Sequence, residues 1–156
     1  QIMNKPHNPW DHHSNIKTRL PATCLATDQP SGALIADLKQ RGLLDETLVV
    51  WVGEFGRLPT SQGGSGRDHN MHAFTALAAG GGLKRGHVHG ATDEFGHKAE
   101  VDPVSVLDLL ATILHQVGLD HTRLTYKHNN REESLTDART TDASVVGQLL
   151  QGPVLG

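Results

Sequence analysis

The distribution of apolar residues predicts two strands in the first half of the chain. "TLVVWV", residues 47–52, is apolar at odd and even positions alike, which is typical of a strand buried on both faces. A second apolar run, "AFTALAAGGG" at 73–82, ends in glycines and predicts another strand. The glycine-rich segment between the two runs predicts a long loop.

Helix signals flank these strands. "TDQPSGALIADLKQRGLL" predicts a helix with Thr27 or Asp28 as the N-cap, Pro30 in the first turn and Gly42 at the C-terminal cap. "PVSVLDLLATILHQVGL", residues 103–119, carries a broad apolar face at helical spacing and ends at a glycine. It predicts the clearest helix of the chain.

The two ends of the chain carry weaker patterns. Residues 1–27 are polar and interrupted by prolines, and we expect them to be mostly loop. Near the other end, "NNREESLTD" predicts a turn between short strands and "DASVVGQLL" predicts a weak terminal helix.

The order helix, strand, loop, strand, helix is typical of an α/β domain. We expect a layered α/β/α arrangement with a mostly parallel sheet, because a strand that is apolar on both faces needs helices on both sides. In such sheets ligands bind at the carboxyl ends of the strands. Glu54 follows the first predicted strand and would lie there.

Composition narrows the functional classes. The formal net charge is −3, which argues against nucleic acid as the main partner. No apolar run approaches the roughly 20 residues that span a bilayer. The single cysteine, Cys24, excludes an internal disulfide and a cysteine-based zinc site. The chain contains 11 histidines, and histidine is the commonest metal ligand.

Three clusters combine histidine and carboxylate residues in a way that indicates metal chemistry. In "WDHHSN", Asp11 and His13 lie on the same side of an extended backbone, because side chains alternate with period two. The other two clusters are Glu54 and the segment "GRDHNMH", which contains Asp68, His69 and His72. Carboxylates and imidazoles suit zinc, manganese or iron when thiolates are absent.

Each cluster also has a plainer interpretation. An Asp-His pair in a glycine-rich loop is commonly a turn with a surface histidine. Glu54 can cap a turn or pair with Arg57. The choice between His12 and His13 as a ligand stays open from the sequence.

Several segments, in matching order, resemble the alkaline phosphatase and sulfatase superfamily. "RGLLDETLVVWVGEFGR" is similar to a segment that delivers an acidic metal ligand, and "RDHNMHAFTALAAGGG" resembles one in which a metal-binding histidine precedes a strand. "VDPVSVLDLLATILHQVGLD" resembles a sulfatase helix. With "WDHHSN" and "GATDEFGHKAEVDPV", the chain is most similar to an uncharacterised bacterial sulfatase-like family of unknown function (DUF1501).

This resemblance implies a metal-dependent hydrolase of a small anionic phosphate or sulfate ester. Zinc is the expected metal, with calcium, manganese or iron as alternatives, and the family suggests a periplasmic or extracellular location. Residues 1–156 would form the C-terminal portion of one alkaline phosphatase-like domain. The nucleophile would lie outside this sequence, so we expect weak metal affinity and negligible turnover of aryl phosphate or aryl sulfate by this chain alone.

The resemblance also implies roles for individual residues. Asp68 and His72 would orient His69, and Arg57 or Lys84 would contact the ester. Phe55 occupies the position where alkaline phosphatases place a second-metal histidine, which disfavours a two-metal site. The implied metal ligands are Asp11, His13, Glu54 and His69.

Two other functions remain open at this stage. One is a non-catalytic, truncated or degenerate module that binds a partner or carbohydrate. The other is a different class of metalloenzyme, with one metal held by "WDHH" and "RDHN". The oligomeric state is not indicated.

Overall fold

The computed structural model describes residues 9–61 and 63–154, which form two α-helices and four pairs of short strands. Two single turns of 3₁₀ helix, Leu44–Glu46 and Gly147–Leu149, are also present. The helices and strands, in chain order, are α1 (Ile16–Gln40), β1 (Val49–Trp51), β2 (Gly56–Arg57), β3 (His69–Asn70), β4 (Leu77–Ala79), β5 (Ala91–Thr92), β6 (Ala99–Val101), α2 (Val106–Gln116), β7 (Thr125–His128) and β8 (Arg131–Ser134).

The expected α/β/α layers with a mostly parallel sheet are wrong. Each strand has one neighbour, and the pairs β1–β4, β2–β3, β5–β6 and β7–β8 are all antiparallel. Both predicted strands form within their apolar runs, but Val49 pairs with Ala79 and Trp51 with Leu77 in opposite directions. The chain between them folds as the β2–β3 ladder, whereas parallel strands are usually joined by a helical crossover.

The first helix begins much earlier than predicted. Helix α1 starts at Ile16, so the expected loop ends well before residue 27, and Thr27 and Asp28 lie in the helix interior instead of at its N-cap. Both Pro21 and Pro30 lie inside the helix. The prediction was wrong because it treated each proline as a break or a start, as local chemistry favours.

The C-terminal end of α1 follows its sequence signal. Gly42 has a φ of +71°, a left-handed conformation that glycine adopts without steric cost. Its N–H donates to Lys39 O at 3.1 Å, and Leu43 N–H donates to Leu38 O at 2.9 Å. These two bonds form a Schellman motif, which satisfies the last carbonyls of the helix.

Helix α2 confirms the helix that the sequence predicts most clearly. It begins at a capping box formed by Ser105 and Asp108. Asp108 N–H donates to Ser105 Oγ and Ser105 N–H donates to Asp108 Oδ2, each at 3.0 Å. The other carboxylate oxygen of Asp108 accepts from Ser144 N–H at 2.8 Å. Burial raises the pKa of Asp108, but the hydrogen bonds from Ser105 and Ser144 outweigh it and lower the pKa.

The most buried apolar residues lie where α2 meets the end of the chain. Ala111 is fully buried, and Leu114 and Leu150 are nearly so. Thr112 Oγ1 also accepts from Val146 N–H at 2.9 Å. The prediction of a terminal helix over 142–150 is wrong, because this segment contains only the 3₁₀ turn. Its backbone forms hydrogen bonds with other parts of the chain instead; for example, Lys84 N–H donates to Leu149 O at 2.8 Å.

The predicted turn between short strands near the C-terminus is confirmed. Strands β7 and β8 pair with His128 opposite Arg131. The two residues between them, Asn129 and Asn130, have φ values of +46° and +60°. Positive φ at both central positions is the requirement of a type I′ hairpin turn, and asparagine tolerates it.

The capping box predicts a measurable loss of stability in Ser105→Ala. We expect the free energy of unfolding to fall by about 1 kcal/mol, because an N-cap hydrogen bond is lost. Chemical denaturation followed by circular dichroism measures the change. The pKa of Asp108 in the folded protein lies below its ordinary value of 3.8. The ionised carboxylate therefore contributes to the free energy of unfolding above pH 3.8, and this contribution is lost as the pH falls through the folded-state pKa.

Ser144→Ala is the matched control for this measurement. The Ser144 side chain is exposed, and its contact with Asp108 is made by the backbone N–H, which alanine keeps. Equal losses in the two variants would contradict the role assigned to the capping box.

Candidate metal centre

The β2–β3 ladder presents its polar and aromatic side chains on one face. Arg57 lies directly opposite His69 in the ladder. Phe55, two residues before Arg57, packs its ring 4.1 Å from the His69 ring, centroid to centroid. Arg57 Cζ lies 5.6 Å from the centroid of Phe55. The ladder thereby places His69 against the Phe55 ring and opposite Arg57.

The glycine-rich loop brings the N-terminal segment against this face. Gly66 approaches His13 so closely that an added Cβ would lie 2.1 Å from the His13 carbonyl oxygen. The neighbouring Arg67 N–H donates to His12 O at 2.9 Å, and Ile16 N–H donates to Ser65 O at 2.9 Å. A side chain at position 66 would push the N-terminal segment away, so glycine is needed here.

Three ligand atoms meet at this contact. Asp11 Oδ1 lies 2.9 Å from His69 Nε2 and 3.1 Å from His13 Nε2, and the two Nε2 atoms are 3.0 Å apart. Among residues 9–61 and 63–154, these are the three His, Cys, Asp or Glu side chains that could hold one metal ion. We call Asp11, His13 and His69 the metal triad.

Hydrogen bonding alone leaves at least one side of this triangle unexplained. Each Nε2 carries at most one hydrogen, and that hydrogen points towards one acceptor. If both hydrogens point at Asp11, two donors face each other across 3.0 Å. If one Nε2 carries no hydrogen, its lone pair faces the lone pairs of the Asp11 carboxylate. The other Nε2–H can donate to only one of its two neighbours, so a second contact also lacks a hydrogen bond. A cation at a common point satisfies all three atoms.

The size of the triangle fits a first-row metal ion. Ligand atoms about 2.0–2.2 Å from a metal are separated by about 2.8–3.1 Å in octahedral geometry and about 3.3–3.6 Å in tetrahedral geometry, so the observed sides of 2.9–3.1 Å match octahedral spacing. The side chains of Asp11, His13 and His69 are 36%, 49% and 44% exposed, so solvent reaches the site. Two imidazoles with one carboxylate suit zinc, iron or manganese, whereas calcium prefers six to eight oxygen ligands.

Arg57 binds the Asp11 carboxylate of the metal triad and helps to keep it ionised. Its Nη1 donates to Asp11 Oδ1 at 2.9 Å, and its Nη2 donates to Trp10 O at 3.2 Å. Hydrogen bonding to His69 and then to Arg57 lowers the pKa of Asp11 to about 2. Asp11 is therefore ionised at every pH at which imidazole is neutral, as metal binding requires.

The structure brings three of the four predicted ligands together and separates the fourth. Glu54, the fourth residue predicted as a ligand, lies outside the metal triad. It is exposed and lines a cavity of about 620 Å³ beside Trp51 and Phe55. The assignment assumed that a strand end delivers its next residue to the site, which holds for a parallel sheet and not for this antiparallel pair.

The predicted supporting residues take different places from those expected. Asp68 lies beside the metal triad, where its Oδ1 is 3.3 Å from His13 Nδ1. His72 is exposed, and its structural contacts are made by its backbone. Arg57 binds the Asp11 carboxylate, a role that the sequence did not indicate. Lys84 lies near Gln151 in another part of the chain.

The two adjacent histidines lie in different surroundings. His13 belongs to the metal triad, while His12 is 3% exposed and has no hydrogen-bond partner for either ring nitrogen among the described residues. Burial, with Arg19 and Arg57 nearby, lowers the pKa of His12. His12 is thus a buried side chain outside the metal triad.

Comparison with known proteins gives one family. The chain belongs to the family described as "Protein of unknown function (DUF1501)", which matches residues 1–150. This confirms the resemblance to DUF1501. No curated protein and no solved structure matches the chain. Within the described residues, no helix is long and apolar enough to cross a membrane.

The adjacent histidines allow a matched test of the metal triad. We expect His13→Gln to weaken zinc(II) or cobalt(II) binding by more than about tenfold, because it removes a ligand. Loss of a residue that merely orients a ligand typically lowers metal affinity by about tenfold or more. His12→Gln should leave the affinity unchanged. Isothermal titration calorimetry of the two variants and the wild type measures the difference. Loss of binding in His12→Gln alone would contradict the assignment.

Glu54 provides a second test, because sequence and structure disagree about it. Glu54→Gln keeps the shape of the side chain and removes its charge. We expect cobalt(II) affinity and the cobalt(II) absorption spectrum to stay as in the wild type. A spectrum altered in Glu54→Gln but not in Glu46→Gln, another carboxylate outside the metal triad, would restore Glu54 as a ligand.

Proposed function

We propose that this chain supplies the metal-binding part of a hydrolase that acts on phosphate or sulfate esters. The observation that carries the proposal is the triangle of Asp11 Oδ1, His13 Nε2 and His69 Nε2, with all three sides between 2.9 and 3.1 Å. The donor set leaves one side of the site open to solvent, where an anionic oxygen has room to approach.

The residues of the metal triad and its neighbours have distinct tasks. A divalent ion, zinc by first preference, supplies a Lewis acid that stabilises negative charge on the ester oxygens. Asp11 provides the anionic ligand, and the two imidazoles remain neutral. Arg57 holds Asp11 in position and adds a fixed positive charge beside the anion site. Phe55 packs on His69 and restricts the rotation of its ring.

The large exposed surface area of the chain supports the proposal that it is part of a larger protein assembly. A compact protein of 16.8 kDa exposes about 7,700 Å², whereas this chain exposes 11428 Å². The few residues outside the described ranges cannot supply that difference, since even an extended residue exposes about 160 Å². We propose that the chain packs against further polypeptide, which provides the nucleophile and completes the metal shell.

The wider relationship to the alkaline phosphatase and sulfatase superfamily is part of this proposal. It is supported by the order of the resembling segments and by the position of His69 four residues before the second apolar run. The three-ligand site also fits the expectation of weak metal affinity in the isolated chain, because the remaining positions are left to water.

A non-catalytic binding module is the second candidate, and the exposed apolar surface favours it. Trp51 and Leu77, paired across β1–β4, are 52% and 53% exposed, and Leu25 is 77% exposed. Such side chains are suited to contact with a protein partner. On this alternative the metal triad would stabilise the fold without binding an ester.

Anion binding to the metal-loaded chain tests the proposed function. We expect phosphate or sulfate to change the visible spectrum of bound cobalt(II) and to tighten its apparent affinity, because each ligand favours the other's binding by the same factor. Perchlorate, a weak ligand, is the control anion. His69→Gln should abolish the effect.

The two candidates give different results in this titration. If cobalt(II) binds but neither phosphate nor sulfate alters its spectrum, the metal site stands and the hydrolase is contradicted. If the anions bind equally well without metal, a metal-dependent role is contradicted.

A further inference from the structure

The two residues of strand β3 face opposite sides of the β2–β3 ladder. His69 points towards Asp11 and His13 and is exposed, while Asn70 is 2% exposed. Successive side chains of a strand alternate in this way. Asn70 therefore lies on the side of the backbone that faces away from the metal triad, at the residue directly after a ligand.

The buried amide of Asn70 joins three segments of the chain. Its Nδ2 donates to His97 O at 3.0 Å and to Gly96 O at 3.4 Å, and its Oδ1 accepts from His72 N–H at 3.0 Å. Both hydrogens and one oxygen lone pair of the amide are used. This fixes the amide orientation and ties β3 to the turn that follows it and to the loop between β5 and β6.

That loop is itself held by a carboxylate. Asp93 Oδ1 accepts from His97 N–H at 2.8 Å and from Phe95 N–H at 3.2 Å. Ala99 N–H also donates to His72 O at 3.0 Å. The carbonyl groups that Asn70 contacts are thus part of an ordered loop, which can support β3.

The opposite strand leaves little freedom to β3. Gly56 pairs with Asn70 in the ladder, and an added Cβ on Gly56 would lie 2.0 Å from Ala73 O. The backbone of β3 is therefore confined by close packing at Gly56 and by hydrogen bonds at Asn70. Metal ligands need placement within about 0.5 Å of the productive geometry, so this confinement bears directly on His69.

We propose that Asn70 is a positioning residue for the metal ligand His69. The inference rests on the proposed metal site. The Asn70 amide holds the backbone of β3 on the loop over 93–97, which keeps His69 Nε2 within contact of Asp11 Oδ1 and His13 Nε2. Asn70 touches no ligand atom and acts through the backbone of the neighbouring residue.

Asn70→Asp tests this role with little change in shape. The carboxylate keeps an acceptor for His72 N–H but replaces the donor group with an oxygen that faces Gly96 O and His97 O. We expect cobalt(II) affinity to fall by about tenfold or more, as for other residues that orient ligands. The cobalt(II) absorption spectrum of the variant should also change, because the His69 ring moves.

A buried polar residue far from the site provides the control. Thr112 is 2% exposed and bonds Asp108 O and Val146 N–H through its hydroxyl. Thr112→Val should lower the stability of the fold and leave the cobalt(II) spectrum unchanged. If both variants lose affinity equally, or if Asn70→Asp binds as the wild type does, the positioning role is overturned.

Two further measurements keep the test decisive. If Asn70→Asp does not fold, Asn70→Ser, which retains a donor hydroxyl, takes its place. If the wild type binds no metal, the proposed function fails on its own, and the ring ¹⁵N chemical shifts of His69 still report its contact with Asp11. Shifts that differ between wild type and variant support positioning of His69, and identical shifts overturn it.

Discussion

The pairing of Arg57 with His69 across the β2–β3 ladder is the constraint on which the candidate site depends. Because these residues are direct partners in the ladder, their side chains reach the same carboxylate oxygen, Asp11 Oδ1, each at 2.9 Å. The N-terminal segment that carries Asp11 and His13 reaches the ladder through the close approach of Gly66. A short antiparallel pair and one glycine thus join residues that lie more than 50 positions apart in the chain.

The ordered contacts around the metal triad lie apart from the most buried part of the described chain. Buried apolar residues are concentrated around α2 and the C-terminal segment, while β1–β4 exposes Trp51 and Leu77. The metal triad does not lie over a large hydrophobic core. Its geometry rests on backbone hydrogen bonds, on packing around glycine and on the amide of Asn70.

Local chemistry made part of this arrangement predictable. The caps at Gly42 and Gly118 and the turn at Asn129 and Asn130 follow from backbone preferences of single residues, and all three form. Three of the four predicted ligands could be recognised from residue type and local spacing, but their convergence depends on the β2–β3 ladder and on Gly66. Strand direction and the start of α1 depend on long-range packing, which an apolar run does not reveal. The position of Glu54 outside the metal triad has the same origin, and the need for Gly66 is visible only when two distant segments meet.

The contact between Asp68 and His13 has a consequence for the proton on the imidazole. A carboxylate oxygen 3.3 Å from Nδ1 favours the tautomer in which Nδ1 carries the hydrogen. The lone pair of the ring is then left on Nε2, the nitrogen that faces Asp11 and His69. Asp68 therefore sets His13 in the form that can donate electrons to a cation, before any cation arrives.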